Sequence, residues 1–174
     1  MSHPLSYFLF CPRCGSHKFE EHDFKSKRCT VCGFTYYANI AAAAACFIRN
    51  SKGELLIARR KKDPAKGTLD LPGGFVDMAE TGEEAICREV VEETGLYIYS
   101  PRFLFSLPNI YLYSGMEIYT LDLFFEATVN GYADLAASDD VSELSFLPLH
   151  QICPALFGLN SIQKAMEKYL SLSL

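Results

Sequence analysis

The chain has no apolar run that approaches a bilayer span, which excludes a helical membrane anchor within it. It has no basic excess. Sixteen Lys and Arg stand against 21 Asp and Glu, a formal net charge of −5. That balance argues against a general nucleic-acid binder. Met1-Ser2-His3-Pro4 lacks the charged and apolar regions of a signal peptide. No internal repeat, low-complexity tract or coiled-coil pattern is visible. What is present is a chain of 174 residues, 49% hydrophobic. This suffices for one ordinary domain plus a small module. The seven cysteines are an odd number, and four of them sit in a metal pattern. A reducing cytoplasm is therefore the expected home.

The densest signal lies between Gly74 and Leu96. Thr81 with Glu84 three residues on is a capping box, so a helix should start near Gly82. Gly95 is a natural left-handed stop, so the helix should end near Thr94. At about 100° per residue, Glu89, Glu92 and Glu93 fall in one arc, with Cys87, Val90 and Val91 on the other side. Carboxylates crowded at i, i+3 and i+4 repel one another. Arg88 alone cannot neutralise them together with Glu80, Glu83 and Glu84. A hard divalent cation, Mg²⁺ or Mn²⁺, would do so. The alternative is a solvated acidic helix face. Upstream, Gly73 and Gly74 would let backbone approach a metal or a phosphate.

Cys11-Pro12-Arg13-Cys14 and Cys29-Thr30-Val31-Cys32 form two C-x2-C knuckles with fourteen residues between them. Gly15 and Gly33 follow directly, where a tight turn must bring backbone toward sulfur. Four thiolates in this arrangement make a closed, structural Zn²⁺ site. Two redox-active pairs are the alternative. His17 and His22 lie between the knuckles and read as surface residues. The module, residues 1–37, is too small to fold on its core alone and should need the metal. Arg13, Lys18, Lys25, Lys27 and Arg28 make it locally basic, but Glu20, Glu21 and Asp23 dilute this and no stacking platform is evident. It reads as a structural cap or part of a homodimer interface.

Residues 38–174 form the main domain. Tyr36-Tyr37-Ala38-Asn39 reads as a linker. The alanines of 41–45 favour helix by propensity. The turn Asn50-Ser51-Lys52-Gly53 and the apolar run after it make 41–49 a strand. Its small side chains either leave room for a ligand or simply pack closely. The segments 97–107 and 117–129 read as strands, with 106–114 between them. Asn160 or Ser161 should cap a last helix, with Ile162, Ala165, Met166, Tyr169 and Leu170 on its core stripe. Cys46, Cys87 and Cys153 read as buried small hydrophobes.

Gly74-x5-Glu80-x7-Arg88-Glu89-Val90-Val91-Glu92-Glu93-Thr94-Gly95-Leu96 resembles the Nudix box at every fixed position. Seven fixed residue types match by chance at on the order of 10⁻⁸ per window. The resemblance implies an α/β fold, an α/β/α sandwich with a mixed sheet, here preceded by a small zinc ribbon. It implies a hydrolase that cleaves a nucleoside diphosphate linked to another group, with a small-molecule nucleotide as substrate. It further implies Mg²⁺ or Mn²⁺ held by Glu89, Glu92 and Glu93 near Gly74, with Arg88 orienting the carboxylates. An acid outside the box often adds a ligand or base. Glu143 is the first candidate, then Asp140, then Glu126 and Glu117.

A four-cysteine ribbon also resembles the NADH pyrophosphatase branch. That branch carries Ser-Gln-Pro-Trp-Pro-Phe-Pro-x-Ser after the box. Ser106, Pro108 and Ser114 match it in spacing, whereas Leu107, Asn109, Ile110, Tyr111 and Leu112 depart. Tyr111 and Tyr113 are candidates for stacking on a base or nicotinamide, and Arg59 is a further candidate substrate contact. Core or dimer-interface packing is the alternative for the tyrosines. Two rival functions stand beside the hydrolase: a sensor that binds without turnover, and an RNA-cap-processing module that uses the ribbon.

Overall fold

The computed structural model describes residues 3–131, 135–138 and 140–173. The chain divides into two compact units, Met1–Ile40 and Ala41–Leu174. The first is a three-stranded antiparallel sheet of β1 (Phe19–Asp23), β2 (Ser26–Cys29) and β3 (Thr35–Tyr37), in that order. Tyr36 and Tyr37 are therefore not a linker. They pair with Lys27 and Ser26 across β2. An open strand edge and aromatic side chains favour that pairing over free chain. Cys11, Phe19 and Cys29 are buried at the centre, with Phe8, Cys32 and Phe34 packed around them.

The second unit is built on a mixed sheet. Its strands are β4 (Ala41–Arg49), β5 (Leu55–Arg60), β6 (Leu69–Asp70), β7 (Gly73–Phe75), β8 (Arg102–Tyr113), β9 (Met116–Thr128) and β10 (Val141–Leu147). The order is β10-β5-β4-β9-β8, with β6 on β5 and β7 on β4. Only the β4–β9 pairing is parallel among the described strands. The two helices are α1 (Gly82–Thr94) and α2 (Asn160–Ser173).

Alternation along β4 assigns the two helices to opposite faces. Ala44, Cys46 and Ile48 pack with Ala85, Ile86 and Val90 of α1. Ala45 and Phe47 pack with Ile162, Ala165, Met166 and Tyr169 of α2. The result is an α/β/α sandwich. Phe47 anchors the α2 side. It is fully buried, and its ring stacks on Tyr169 at 3.9 Å between centroids. We expect Phe47→Ala to cost about 3–5 kcal/mol, the scale for a large core aromatic. Urea unfolding followed by circular dichroism checks this. A loss below about 1 kcal/mol would contradict the packing described.

Residues 41–49 are a strand in spite of their helix propensity. β4 lies between β9 and the β5/β7 side, so its ladder bonds and packing on both faces outweigh a few tenths of a kcal/mol per alanine. The expectation for 97–114 is corrected. Residues 97–101 are not strand, and 106–114 do not lie between strands. Most of that stretch is the far half of β8, which meets β9 through a tight turn at Ser114 and Gly115, both at positive φ. Pro108 stands inside this strand. It is tolerated because β8 is an edge strand and needs no ladder donor on its open side. The cysteine expectation holds for Cys46, which is buried. Cys87 is half-buried and Cys153 is exposed. There, Ile152 and Phe157 occupy the core positions instead.

Candidate active site

The box begins on β7 and ends on α1. Thr81 caps α1 as its spacing predicts: its Oγ1 accepts from Glu84 N–H, and the Glu84 carboxylate accepts from Thr81 N–H. Gly95 closes the helix in the left-handed region at φ 72°. This fixes the phase of the helix, and hence where each glutamate lies.

Arg88 is the hub. Its Nε and Nη2 each donate to Glu80 at 2.9 Å. Its Nη1 donates to Glu89 at 2.8 Å and to Glu92 at 3.2 Å, and Nη2 also reaches the Phe75 carbonyl at 3.1 Å. The planar fork suits this multiple docking in a way a lysine cannot match. It holds Glu80 below the usual carboxylate range.

Glu93 behaves differently. It does not share an open arc with Glu89 and Glu92 but is buried, and its Oε2 accepts from Gly73 N–H at 2.9 Å. Burial pushes its carboxyl up to about 8 in spite of that bond. Glu89 is half-buried and Glu92 exposed. Gly73 is sterically required by backbone, whereas a side chain at Gly74 would displace only the Glu89 carboxylate. A Cβ on Gly73 would lie 2.1 Å from the Ala44 carbonyl oxygen, and one on Gly74 would lie 2.4 Å from Glu89 Oε1.

A cavity of about 490 Å³ opens beside this edge. Glu93, Gly73, Gly74 and Phe75 are among the residues that line it. Ala43, Ala44 and Ala45 line it too, so small residues of β4 border the open space. Tyr111 and Tyr113 line it, and Tyr111 packs edge-on against Phe75 at 5.7 Å. Arg59 does not line it. Arg59 pairs with Glu143 at 2.9 Å in an exposed contact, so the first-choice loop acid is turned away from the cavity. Asp140, the second choice, does line it and pairs with Lys62. Glu126 lies elsewhere, bonded to Tyr169 and Arg102. Glu117 is exposed on β9. Asp139 lies outside the described residues.

Five polar cavity residues were not anticipated: Arg60, Asp70, Asn109, Thr120 and Asp122. Arg60 Nη1 donates to Asp70 Oδ2 at 2.5 Å, and burial raises the Asp70 carboxyl. Asp122 stands in the apolar run Leu121 to Phe125 and is buried. A charge at a buried strand position was the available signal.

The four cysteines also meet as their spacing predicts. Their sulfurs all lie within 4.8 Å of one another, with 3.7 Å between Cys11 and Cys32 and 3.6 Å between Cys14 and Cys29. Tetrahedral zinc at about 2.3 Å from each sulfur implies roughly 3.8 Å between them, so the donor set fits. Gly15 and Gly33 N–H close the knuckle turns onto the Cys11 and Cys29 carbonyls at 2.8 and 2.9 Å. Among the described residues, Glu89, Glu92 and Glu93 do not form so tight a group. Their chemistry, hard carboxylate oxygens beside two glycines, fits a magnesium-type ion.

The comparisons with known proteins agree with this geometry. The NUDIX domain family matches residues 39–170. The chain is 34% identical over 110 residues to an NAD-capped RNA hydrolase NudC of Haemophilus influenzae, a match covering 62% of this chain and 41% of that protein. It is 35% identical over 125 residues to an ADP-ribose pyrophosphatase of Methanocaldococcus jannaschii, covering 71% of each. The chain thus spans less than half of the first relative and most of the second. Among solved structures, a NUDIX hydrolase from Nitrosomonas europaea shares the fold at a TM-score of 0.72 and 19% identity, over 93% of this chain and 90% of that one. Among the described residues no helix is long and apolar enough to cross a membrane. A capped box helix, an arginine clamping its carboxylates and a family match over 39–170 together place this chain in the Nudix hydrolase family.

Proposed function

We propose that the chain hydrolyses the diphosphate bridge of a dinucleotide-like substrate, ADP-ribose or an NAD-type dinucleotide, to a nucleoside monophosphate and a second phosphate-bearing fragment. The observation that carries this is a cavity lined both by the buried box residue Glu93 and by the aromatic side chains of Phe75, Tyr111 and Tyr113. One substrate can place its diphosphate at the first and a ring at the second.

Glu89, Glu92 and Glu93 would hold Mg²⁺ or Mn²⁺. When bound, the ion supplies charge neutralisation on the diphosphate and a more acidic water. Gly73 lets β7 lie close against β4, and the absence of a side chain at Gly74 leaves the Glu89 carboxylate in its place beside it. Arg88 fixes the rotamers of Glu80, Glu89 and Glu92, so their oxygens are in place before substrate arrives. Water oxygen bonds to phosphorus, the bridging P–O bond breaks, and the water proton passes to a carboxylate. That carboxylate is a box glutamate or Asp140, which lines the cavity, in preference to Glu143, which Arg59 engages. The four cysteines would hold a structural Zn²⁺ with no open position for chemistry. Free thiols and a small nucleotide substrate fit a cytoplasmic setting.

The departures from the NADH pyrophosphatase signature bear on substrate. Asn109, Tyr111 and Tyr113 line the cavity, while Ser106, Pro108, Ile110 and Leu112, on the alternate side of β8, do not. The two matching positions on the strand, Ser106 and Pro108, thus face away from the cavity. This favours ADP-ribose over NADH. The test compares kcat/KM for NADH, NAD⁺ and ADP-ribose with Mg²⁺, with products identified by mass. ADP-ribose preferred is the expected result, and NADH preferred at least tenfold would overturn that ranking.

Arg88→Lys keeps the charge but loses the fork, and should cost about 10–100-fold in activity or metal affinity, the scale for groups that orient metal ligands. Metal titration of turnover reads this. Unchanged metal dependence would remove the orienting role. The name of the Haemophilus relative favours a second reading, in which the dinucleotide is the cap of an RNA. A gel shift with capped RNA that strengthens at low salt would support it. No shift at any salt would reject it.

A further inference from the structure

We infer that Asp122 and Thr120 form an acceptor pair that reads the amino group of the substrate's heterocycle, and so set which ring the cavity takes. This rests on the proposed nucleotide function. Asp122 and Thr120 are 6% and 4% exposed, and both line the cavity. Thr120 Oγ1 donates to Asp122 Oδ1 at 2.6 Å. That bond uses the only hydroxyl proton of Thr120, so both residues present lone pairs alone to a ligand. Among the described residues no other hydrogen bond to the Asp122 carboxylate is seen, and its Oδ2 is not one of their enclosed, unpartnered oxygens, so it opens onto the cavity.

A carboxylate oxygen that opens onto a largely apolar cavity gains most from a donor that a ligand brings to it. Arg60, the cation on the same cavity wall, is already engaged by Asp70 and by the Pro64 carbonyl. A donor for Asp122 Oδ2 therefore comes from within the cavity, from solvent or from a bound ligand that displaces it. An N–H group meets that need, and an acceptor such as a ring carbonyl does not.

The surroundings narrow the donor to a flat ring. Tyr111, Phe75 and Ile118 give the same cavity aromatic and aliphatic walls, which suit a heterocycle better than a sugar. Register places the pair at the right reach. Ala43 lies opposite Asp122 on β9 and opposite Phe75 on β7. Two strand spacings, about 10 Å, thus separate Asp122 from the box edge. That is comparable to a ribose and a base laid end to end. The amino group can come from adenine or from the carboxamide of nicotinamide. The chemistry is the same, and the test separates them.

The experiment measures binding to the full chain with Mg²⁺ by calorimetry, using two matched pairs. AMP is compared with purine riboside monophosphate, which lacks the amine. Nicotinamide mononucleotide is compared with its 3-acetylpyridine analogue, in which methyl replaces the amine. The expected result is that in at least one pair the amino ligand binds at least about tenfold tighter, the scale of one charge-assisted hydrogen bond. The pair that shows the gap identifies the ring. Asp122→Ala should close the gap to within about threefold, and Asp122→Asn, which keeps an acceptor oxygen, should leave part of it. Circular dichroism confirms that each variant folds, and the wild-type comparison stands without either. No gap in both pairs, no measurable binding of any ligand, or a gap that Asp122→Ala leaves intact would each overturn the inference. Turnover is measured separately. Binding selectivity without turnover would reject hydrolysis and leave the acceptor pair standing, whereas turnover without selectivity would do the reverse.

Discussion

Glu93→Gln is expected to lower kcat/KM by at least about 100-fold while the protein stays folded. Glu93 is the buried box carboxylate and lines the cavity. Its Oε2 takes the Gly73 N–H, and a glutamine carbonyl can take the same bond. Burial already favours the uncharged carboxyl, which titrates at about 8 in the folded chain. Glutamine is close in shape to that neutral form, so the core around it is not asked to accept anything new. What is removed is the capacity to lose a proton and become the carboxylate that a divalent ion needs. The loss should therefore fall on chemistry and metal binding and not on stability. Glu92→Gln, at an exposed position, should behave alike. Steady-state turnover with a thermal melt of each variant gives the answer. Wild-type turnover in Glu93→Gln would sink the assignment, and a collapsed melt would show the position to be structural.

Removal of zinc is expected to unfold the Met1–Ile40 unit. Its centre consists of Cys11, Phe19 and Cys29 with a few flanking aromatics. So small a core cannot offset the chain entropy of some forty residues. Metal–thiolate bonding supplies the difference, on the order of 10 kcal/mol in peptides of this kind. The knuckles are prepared for it. Backbone N–H groups of Cys32 and Val31 point at the Cys29 sulfur and hold its thiol down at about 6. One zinc per chain should be found by elemental analysis, and Cys29→Ser should abolish it. Hydrogen exchange in β1, β2 and β3 should then rise to unfolded rates. A ribbon that stays protected without zinc would refute the metal's structural role.

Short-range chemistry was legible in the sequence, and long-range assembly was not. The capping box, Gly95, the two knuckles and the α2 stripe are local patterns, and each element formed where its residues predict. The family resemblance then supplied the sandwich and the glutamates. Residues 106–114 were set apart from the strands around them, and Pro108 can stand inside β8 only because β8 lies at the sheet edge. The inner end of the cavity was not legible at all. Asn109, Thr120 and Asp122 are scattered singly along the sequence. They meet because Asn109 pairs with Thr120, and Leu107 and Ala43 both pair with Asp122. Register of that kind is decided by whole strands. The burial of Glu93 likewise depends on where β7 places the Gly73 N–H, which helix phase alone does not reveal.

The most direct measurement is turnover of ADP-ribose, with and without Mg²⁺, read by chromatography and mass. The account predicts AMP and ribose 5-phosphate in the presence of the ion and intact substrate when a chelator removes it. ADP-ribose bound tightly but left whole in Mg²⁺ and in Mn²⁺ would contradict it, and would make the chain a sensor that keeps the fold without the reaction.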